Sequence, residues 1–294
     1  MLCSRDKEAG AKALADMGAA SERARVQQLD LADLSSVKAA CDEIAATEGR
    51  VALLLNNAGV MATPQVCASY WLLLLLLIPL TPSARDAGVV ATPQLTTKQG
   101  FELQIGTNHL GHFAFTRLLL PLIEDDGRVV TVASTAHTMG SVDVADLNFR
   151  NGRKYSPWGA YGQSKAANIL FAKGLADELK AAGSNVLSVS LHPGVIGTPL
   201  WRHGNRVLTW IIHKFILDKS IPQGASTSVY ACLAEGLPTG SYLSDCGVVS
   251  PNAAAEDADG TARKALWDLS ETLVAQAGLE LPATLLGERV AAKA

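Results

Sequence analysis

The sequence predicts a one-domain α/β protein built as a doubly wound parallel sheet, and three observations point there. Short Val- and Leu-rich runs alternate with helical patterns along the chain, the rhythm of β-α-β units. Each run is short, rich in Val or Leu and closed by polar or glycine-containing sequence, as buried parallel strands are. With 294 residues, 48% of them hydrophobic and 18% charged, the chain is long enough to bury the core of one large domain.

Taken in order, the runs at 25–29, 51–55, 128–133 and 185–191 read as strands, each closed by polar or glycine-containing sequence. A helix is expected over 7–17 and a second over 35–46, with Asp33 placed to cap it. Phe101, Ile105, Phe113 and Leu120 mark a long helix over 97–122, and a further helix runs over 161–182. Open sheets of this kind bind ligands beyond the carboxyl ends of their strands. The informative residues fall there. Residues 1–275 are expected to form the domain and 276–294 a tail without a motif.

One segment breaks the rhythm. Residues 66–94, opening VCASYWLLLLLLIPL, stand where a short loop belongs. The apolar run is too short to span a bilayer and is interrupted by Pro79. The eight residues AGVMATPQ at 58–65 return almost unchanged as AGVVATPQ at 87–94, and removing 66–94 restores NNAGVMATPQLTTKQGFE. This segment therefore reads as an insertion, a duplication or a translated intron, with a buried apolar lid as the plainer alternative.

Bulk properties exclude several function classes. A net charge of −3 offers no basic field to nucleic acid or anionic lipid. Cys3, Cys41, Cys67, Cys232 and Cys246 include no CxxC pair, which argues against a disulfide framework or zinc site and for a reducing compartment, the cytoplasm by default. His137, His203 and His213 lack metal-ligand spacing, so no metal is expected. The opening MLCSRDKEAG is charged at once and is not read as a secretory signal.

Tyr161 and Lys165, in YGQSK, lie four apart and share one helix face. A phenol ionises near pH ~10, too high for proton exchange at neutral pH, and a nearby ammonium lowers that value. Upstream, RVVTVAS ends a strand at Ser134, whose hydroxyl could hold a substrate oxygen. Asn108, a mediocre helix former, stands inside the long helix. Each residue alone also reads as a satisfied polar group on a solvated or buried face.

Together, NNAG at 56–59, Asn108, Ser134, Tyr161 with Lys165, and HPG at 192–194 resemble, in identity and order, the classical short-chain dehydrogenases/reductases. GFELQIGTNHLGHFAFTRLLLPLI, AYGQSKAANILFAK and GSYLSDCGVVSP are most similar to the retinol-dehydrogenase-like branch. The resemblance implies a Rossmann-like sheet and a catalytic set of Asn108, Ser134, Tyr161 and Lys165. Tyr161 would give a proton to a carbonyl oxygen held by Ser134. Lys165 would lower the tyrosine pKa and bind the nicotinamide ribose, and Asn108 would hold a water that links Lys165 to solvent. Asn57, Ala58 and Gly59 would close over the cofactor, Asp30 and Leu31 would meet the adenine edge, and Pro193, Gly194, Val195 and Thr198 would flank the nicotinamide.

Arg5 stands where a guanidinium could grip a ribose 2′-phosphate, which favours NADP(H) over NAD(H). The chain departs from the family at its front. Met1 falls inside what would be the second strand, and no TGxxxGIG turn precedes it, so the pyrophosphate site of a helix N-terminus is expected to be missing. Weak dinucleotide binding and little dehydrogenase activity follow as an expectation, with a non-enzymatic scaffold derived from the fold as the alternative. The apolar segment after Thr198, with Trp201, Leu208, Trp210 and Phe215, suggests a lipophilic carbonyl or alcohol, retinal-like, as substrate. Self-association is left open.

Overall fold

The computed structural model describes residues 1–18, 23–61, 94–194 and 219–287. The expected insertion, apart from its last residue, lies outside them, as do Val195, Thr198, the apolar segment that follows, His203 and His213.

The chain opens with β1 (Leu2–Ser4), α1 (Lys7–Asp16), β2 (Val26–Gln28), α2 (Leu34–Thr47) and β3 (Val51–Asn56). Asp6 caps α1 and Asp33 caps α2, each carboxylate accepting backbone N–H groups of the first turn. The long helix is present but not uniform. It runs through α3 (Leu103–Ile105), a π-helical turn (Gly106–Leu110), α4 (Gly111–Leu119) and a 3₁₀ turn (Leu120–Leu122). After it come β4 (Ile123–Val132), α5 (Pro157–Ala181), β5 (Leu187–His192), α6 (Ile221–Leu233), β6 (Tyr242–Ser244), β7 (Gly247–Val249), α7 (Ala253–Glu256) and α8 (Thr261–Gln276).

The strands form two sheets. β1 pairs in parallel with β2 alone, while the second sheet has the order β3-β4-β5-β6-β7 with only β7 antiparallel. Successive strand residues point to opposite faces, and the core divides accordingly. Leu54 and Val129 pack with Phe171 and Leu175 of α5 and with Phe113 of α4. Val130, Val132, Val189 and Leu191 pack with Ala231 of α6 on the other face. Helices therefore cover both faces of the five-stranded sheet, as a doubly wound fold requires. Leu53 and Leu55 of β3 point to the α6 face and remain 41% exposed.

Residues 277–287 follow α8 and dock rather than trail. Leu279, Leu281 and Leu285 join the core of α4. The buried Arg117 donates to the carbonyls of Pro282 (3.2 Å) and Leu285 (3.4 Å) and pairs with Glu271 (3.0 Å). Among the described residues, no helix is long and apolar enough to cross a membrane.

Candidate active site

The carboxyl ends of β3, β4 and β5 lie side by side, and most of the residues singled out in the sequence gather beyond them. Asn56 closes β3 and is fixed there by its Nδ2 donating to Thr116 Oγ1 of α4 at 2.9 Å. Asn57, Ala58 and Gly59 follow and are exposed, so their backbone is presented outward. A Cβ at Gly59 would stand 3.1 Å from Asn108 Oδ1 and 3.5 Å from Lys165 Nζ. Only glycine leaves that loop free to lie against both groups without a push.

Asn108 sits in the π turn and is fully buried. Its Nδ2 donates to Val60 O and to Ser164 Oγ, both at 2.9 Å, and its Oδ1 accepts from Val60 N–H at 2.7 Å. Its side chain thus ties the loop after β3 to α5. The wider π turn, which recurs at functional sites, is what points an asparagine out of a helix interior.

Ser134 follows the end of β4 and caps a 3₁₀ turn (Thr135–Met139), accepting Ala136 N–H at 3.2 Å. Tyr161, in the second turn of α5, is buried, and Ser134 is the polar neighbour that lowers its pKa against that burial. Two glycines permit this approach. A Cβ at Gly162 would lie 2.6 Å from Ala136 O, and one at Gly140 would lie 2.5 Å from Gly159 O, so the serine turn can press on the tyrosine helix. His137 anchors the turn, with Nδ1 donating to Ser134 O at 2.7 Å and Nε2 accepting Asn252 N–H at 3.2 Å.

Lys165 is 3% exposed, donates from Nζ to Val132 O at 3.0 Å, and lies 5.7 Å from the Tyr161 ring centroid. Burial pulls its pKa down to about 8. Burial also raises the Tyr161 phenol above its usual range, and Ser134 is the group that partly offsets this. The net direction at Tyr161 is therefore upward.

His192 ends β5 and accepts Thr135 N–H at Nδ1 (3.2 Å). Pro193 and Gly194 follow, half-buried, with Gly194 at φ +95°, where other residues are strained. Asp30 and Leu31 stand beyond β2. Asp30 Oδ1 accepts Ala32 N–H at 2.9 Å, and the buried Leu31 presses its carbonyl on Gly111, where a Cβ would be 2.4 Å away. Arg5 lies exposed just past β1. The structure thus brings Asn57–Gly59, Asn108, Ser134, Tyr161, Lys165 and Pro193–Gly194 around one set of strand ends, while Arg5 and Asp30 occupy the ends of the smaller sheet.

Sequence reasoning missed Ser164, which accepts from Asn108 and donates to Tyr161 O at 2.8 Å. It also missed Asn168, which shares Val132 O with Lys165. Polar residues at 164 and 168 continue one face of a helix otherwise filled with Ala, Ile and Leu, and that was the available signal. Among the described residues, no group of His, Cys, Asp or Glu is arranged to hold a metal.

Comparison with known proteins agrees with this geometry. The short chain dehydrogenase family model matches residues 1–146. Retinol dehydrogenase 11 of Homo sapiens is 37% identical over 257 residues, 85% of this chain and 69% of the relative. Polyprenol dehydrogenase of Mus musculus is 37% identical over 278 residues, 90% of this chain and 71% of that one. A solved structure of an uncharacterised Mycobacterium Paratuberculosis protein shares the fold with a TM-score of 0.64 at 35% identity, covering 95% of this chain and 84% of that one. With fold, ordered site residues and relatives in accord, the chain belongs to the short-chain dehydrogenase/reductase family, in its retinol-dehydrogenase-like branch.

Proposed function

We propose that this protein is an NADP(H)-dependent oxidoreductase that reduces a lipophilic carbonyl or oxidises the matching alcohol. The observation that carries the reading is the meeting of Ser134 and Tyr161 beyond β4, with Lys165 one helical turn along α5.

The residues present fit the nicotinamide end of a dinucleotide. The glycine cradle at Gly59 opens between Asn108 and Lys165, and Asn57, Ala58, Pro193 and Gly194 edge the same space. These residues, with Tyr161 and Lys165, would hold the nicotinamide end, and Asp30 and Leu31 the adenine edge. Val195 and Thr198 are proposed to join the nicotinamide end. When bound, the cofactor supplies or accepts the hydride. Ser134 Oγ–H donates to the substrate oxygen and fixes its place. Tyr161 delivers its proton to that oxygen in reduction and takes it back in oxidation, a general acid/base role. Burial holds the phenol protonated at neutral pH. The Lys165 ammonium stands beside the Tyr161 ring to restore the proton.

The lipophilic substrate class is supported by two relatives named for the apolar alcohols retinol and polyprenol and by the apolar stretch after Thr198. Arg5, at the end of β1, is proposed to read the 2′-phosphate. The test is reduction of retinal by NADPH with the purified protein, beside Tyr161→Phe. Turnover that the substitution lowers by ~10²-fold or more supports the reading. Equal rates in both proteins, or no binding of NADPH, contradict it.

A further inference from the structure

His112 belongs to no role described so far. It sits one turn beyond Asn108, at the start of α4, and is 3% exposed. Its Nδ1 lies 3.0 Å from the peptide carbonyl of Asn108. A carbonyl only accepts, so Nδ1 carries the proton and the ring is held as one tautomer. Burial, followed by the nearby Lys165 ammonium, draws the imidazole down to about 4, and only the hydrogen bond to Asn108 opposes this. The ring is thus neutral at physiological pH.

The position matters because the chain is out of α register here. Gly111 N–H bonds Gly106 O, five residues back, and the Asn108 carbonyl is reached by a side chain. From Asn108 a continuous path leads inward. Its amide holds both backbone groups of Val60 and bonds Ser164 Oγ, and Ser164 in turn holds the Tyr161 carbonyl. Buried networks of this kind fix geometry only when every member is satisfied.

We propose that His112 is a positioning residue: by donating Nδ1–H to the Asn108 carbonyl it locks the π turn, and through Asn108 it holds the cofactor loop at Val60 and the Tyr161 turn of α5 in working register. This rests on the dehydrogenase reading for its functional consequence, but its structural content is testable without turnover.

The experiment compares His112→Leu, which removes the donor, His112→Gln, which moves it to the ε position, and His112→Asn, which keeps it at δ. In ¹⁵N-histidine-labelled protein, NMR should show His112 as the neutral Nδ1–H form. Hydrogen exchange of the Val60 amide should quicken about tenfold in the Leu and Gln variants, the worth of one buried hydrogen bond, and stay near the parent rate in Asn. Amides of β4 and β5 should not move. In turnover, kcat should fall about tenfold in Leu and Gln with KM little changed, and Asn should recover most of it. An Nε2–H tautomer, unchanged Val60 exchange in both Leu and Gln, or equal effects of Gln and Asn would overturn the proposal. Absence of turnover in the parent would instead contradict the dehydrogenase reading and leave the exchange result standing.

Discussion

Helices α1 and α5 have the same topological task, each carrying the chain from one parallel strand to the next, yet they are built differently. Helix α5 buries seventeen of its twenty-five residues, while α1 buries only Gly10 of its ten. The sheets they serve differ in the same sense. β4 and β5 are central in a five-stranded sheet, whereas β1 pairs three residues with β2 and forms no hydrogen-bonded ladder with β3. Two-stranded sheets are marginal on their own. The difference teaches where each half of the site draws its rigidity. Tyr161 and Lys165 stand on an element locked from all sides, and Arg5 and Asp30 stand on one held mainly through α2 and Leu31.

The largest expected effect breaks the chemistry without breaking either region. Tyr161→Phe should lower turnover by ~10²- to 10⁴-fold while leaving the denaturation midpoint nearly unchanged. If turnover is insensitive to it, the preformed site around α5 is not where reaction occurs.

Matched truncations sharpen the comparison of the two helices. Leu170→Ala in α5, at a site 2% exposed, should cost ~2–5 kcal/mol in urea titrations. Leu14→Ala in α1, half-buried, should cost under about 1 kcal/mol. Similar costs at both sites would remove the contrast.

Ionisation in the buried half should also show in stability. Lys165 titrates near 8 in the fold against 10.5 when free, so the unfolded chain binds the extra proton between those values. Its burial cost is fully present below pH 8 and is relieved as pH rises to 10.5. Lys165→Met should therefore raise stability at pH 7 by roughly 3 kcal/mol and flatten that window. On the acid side, burial holds His109 at about 3 and His112 at about 4, below the ordinary 6.5. The stability of keeping them neutral is present above 6.5 and is lost as pH falls toward 4 and 3. Urea midpoints across pH 3–11 test both limbs, with His109→Phe expected to soften the acid one.

The smallest effect is expected from deleting 66–94. That deletion leaves Gln65 to stand in for Gln94, whose Nε2 donates to Asn148 O. If the segment is an insertion, the melting temperature should shift by no more than a few degrees. A collapse of stability would mark it as part of the fold.

The contrast also explains what was legible in the sequence. Parallel strands and the α5 site were readable because buried strands run apolar and because YGQSK, NNAG and HPG keep fixed order. The cap at Asp33 was readable from its residue type. Three things were not. The π turn at Asn108 leaves no compositional mark, since it arises from hydrogen-bond register rather than propensity. The rise of the Tyr161 pKa depends on burial from helices distant in sequence, which spacing to Lys165 cannot report. The docking of residues 277–287 depends on Arg117, which reads as an ordinary helix arginine until its carbonyl partners are in place.

The most direct measurement is native-state hydrogen exchange across the described chain. The account predicts that amides of β4, β5 and the Tyr161–Lys165 stretch of α5 exchange only through global unfolding. Amides of α1 and β2 should open locally, at a free energy lower by at least ~2 kcal/mol. A single uniform opening free energy across both regions would contradict it.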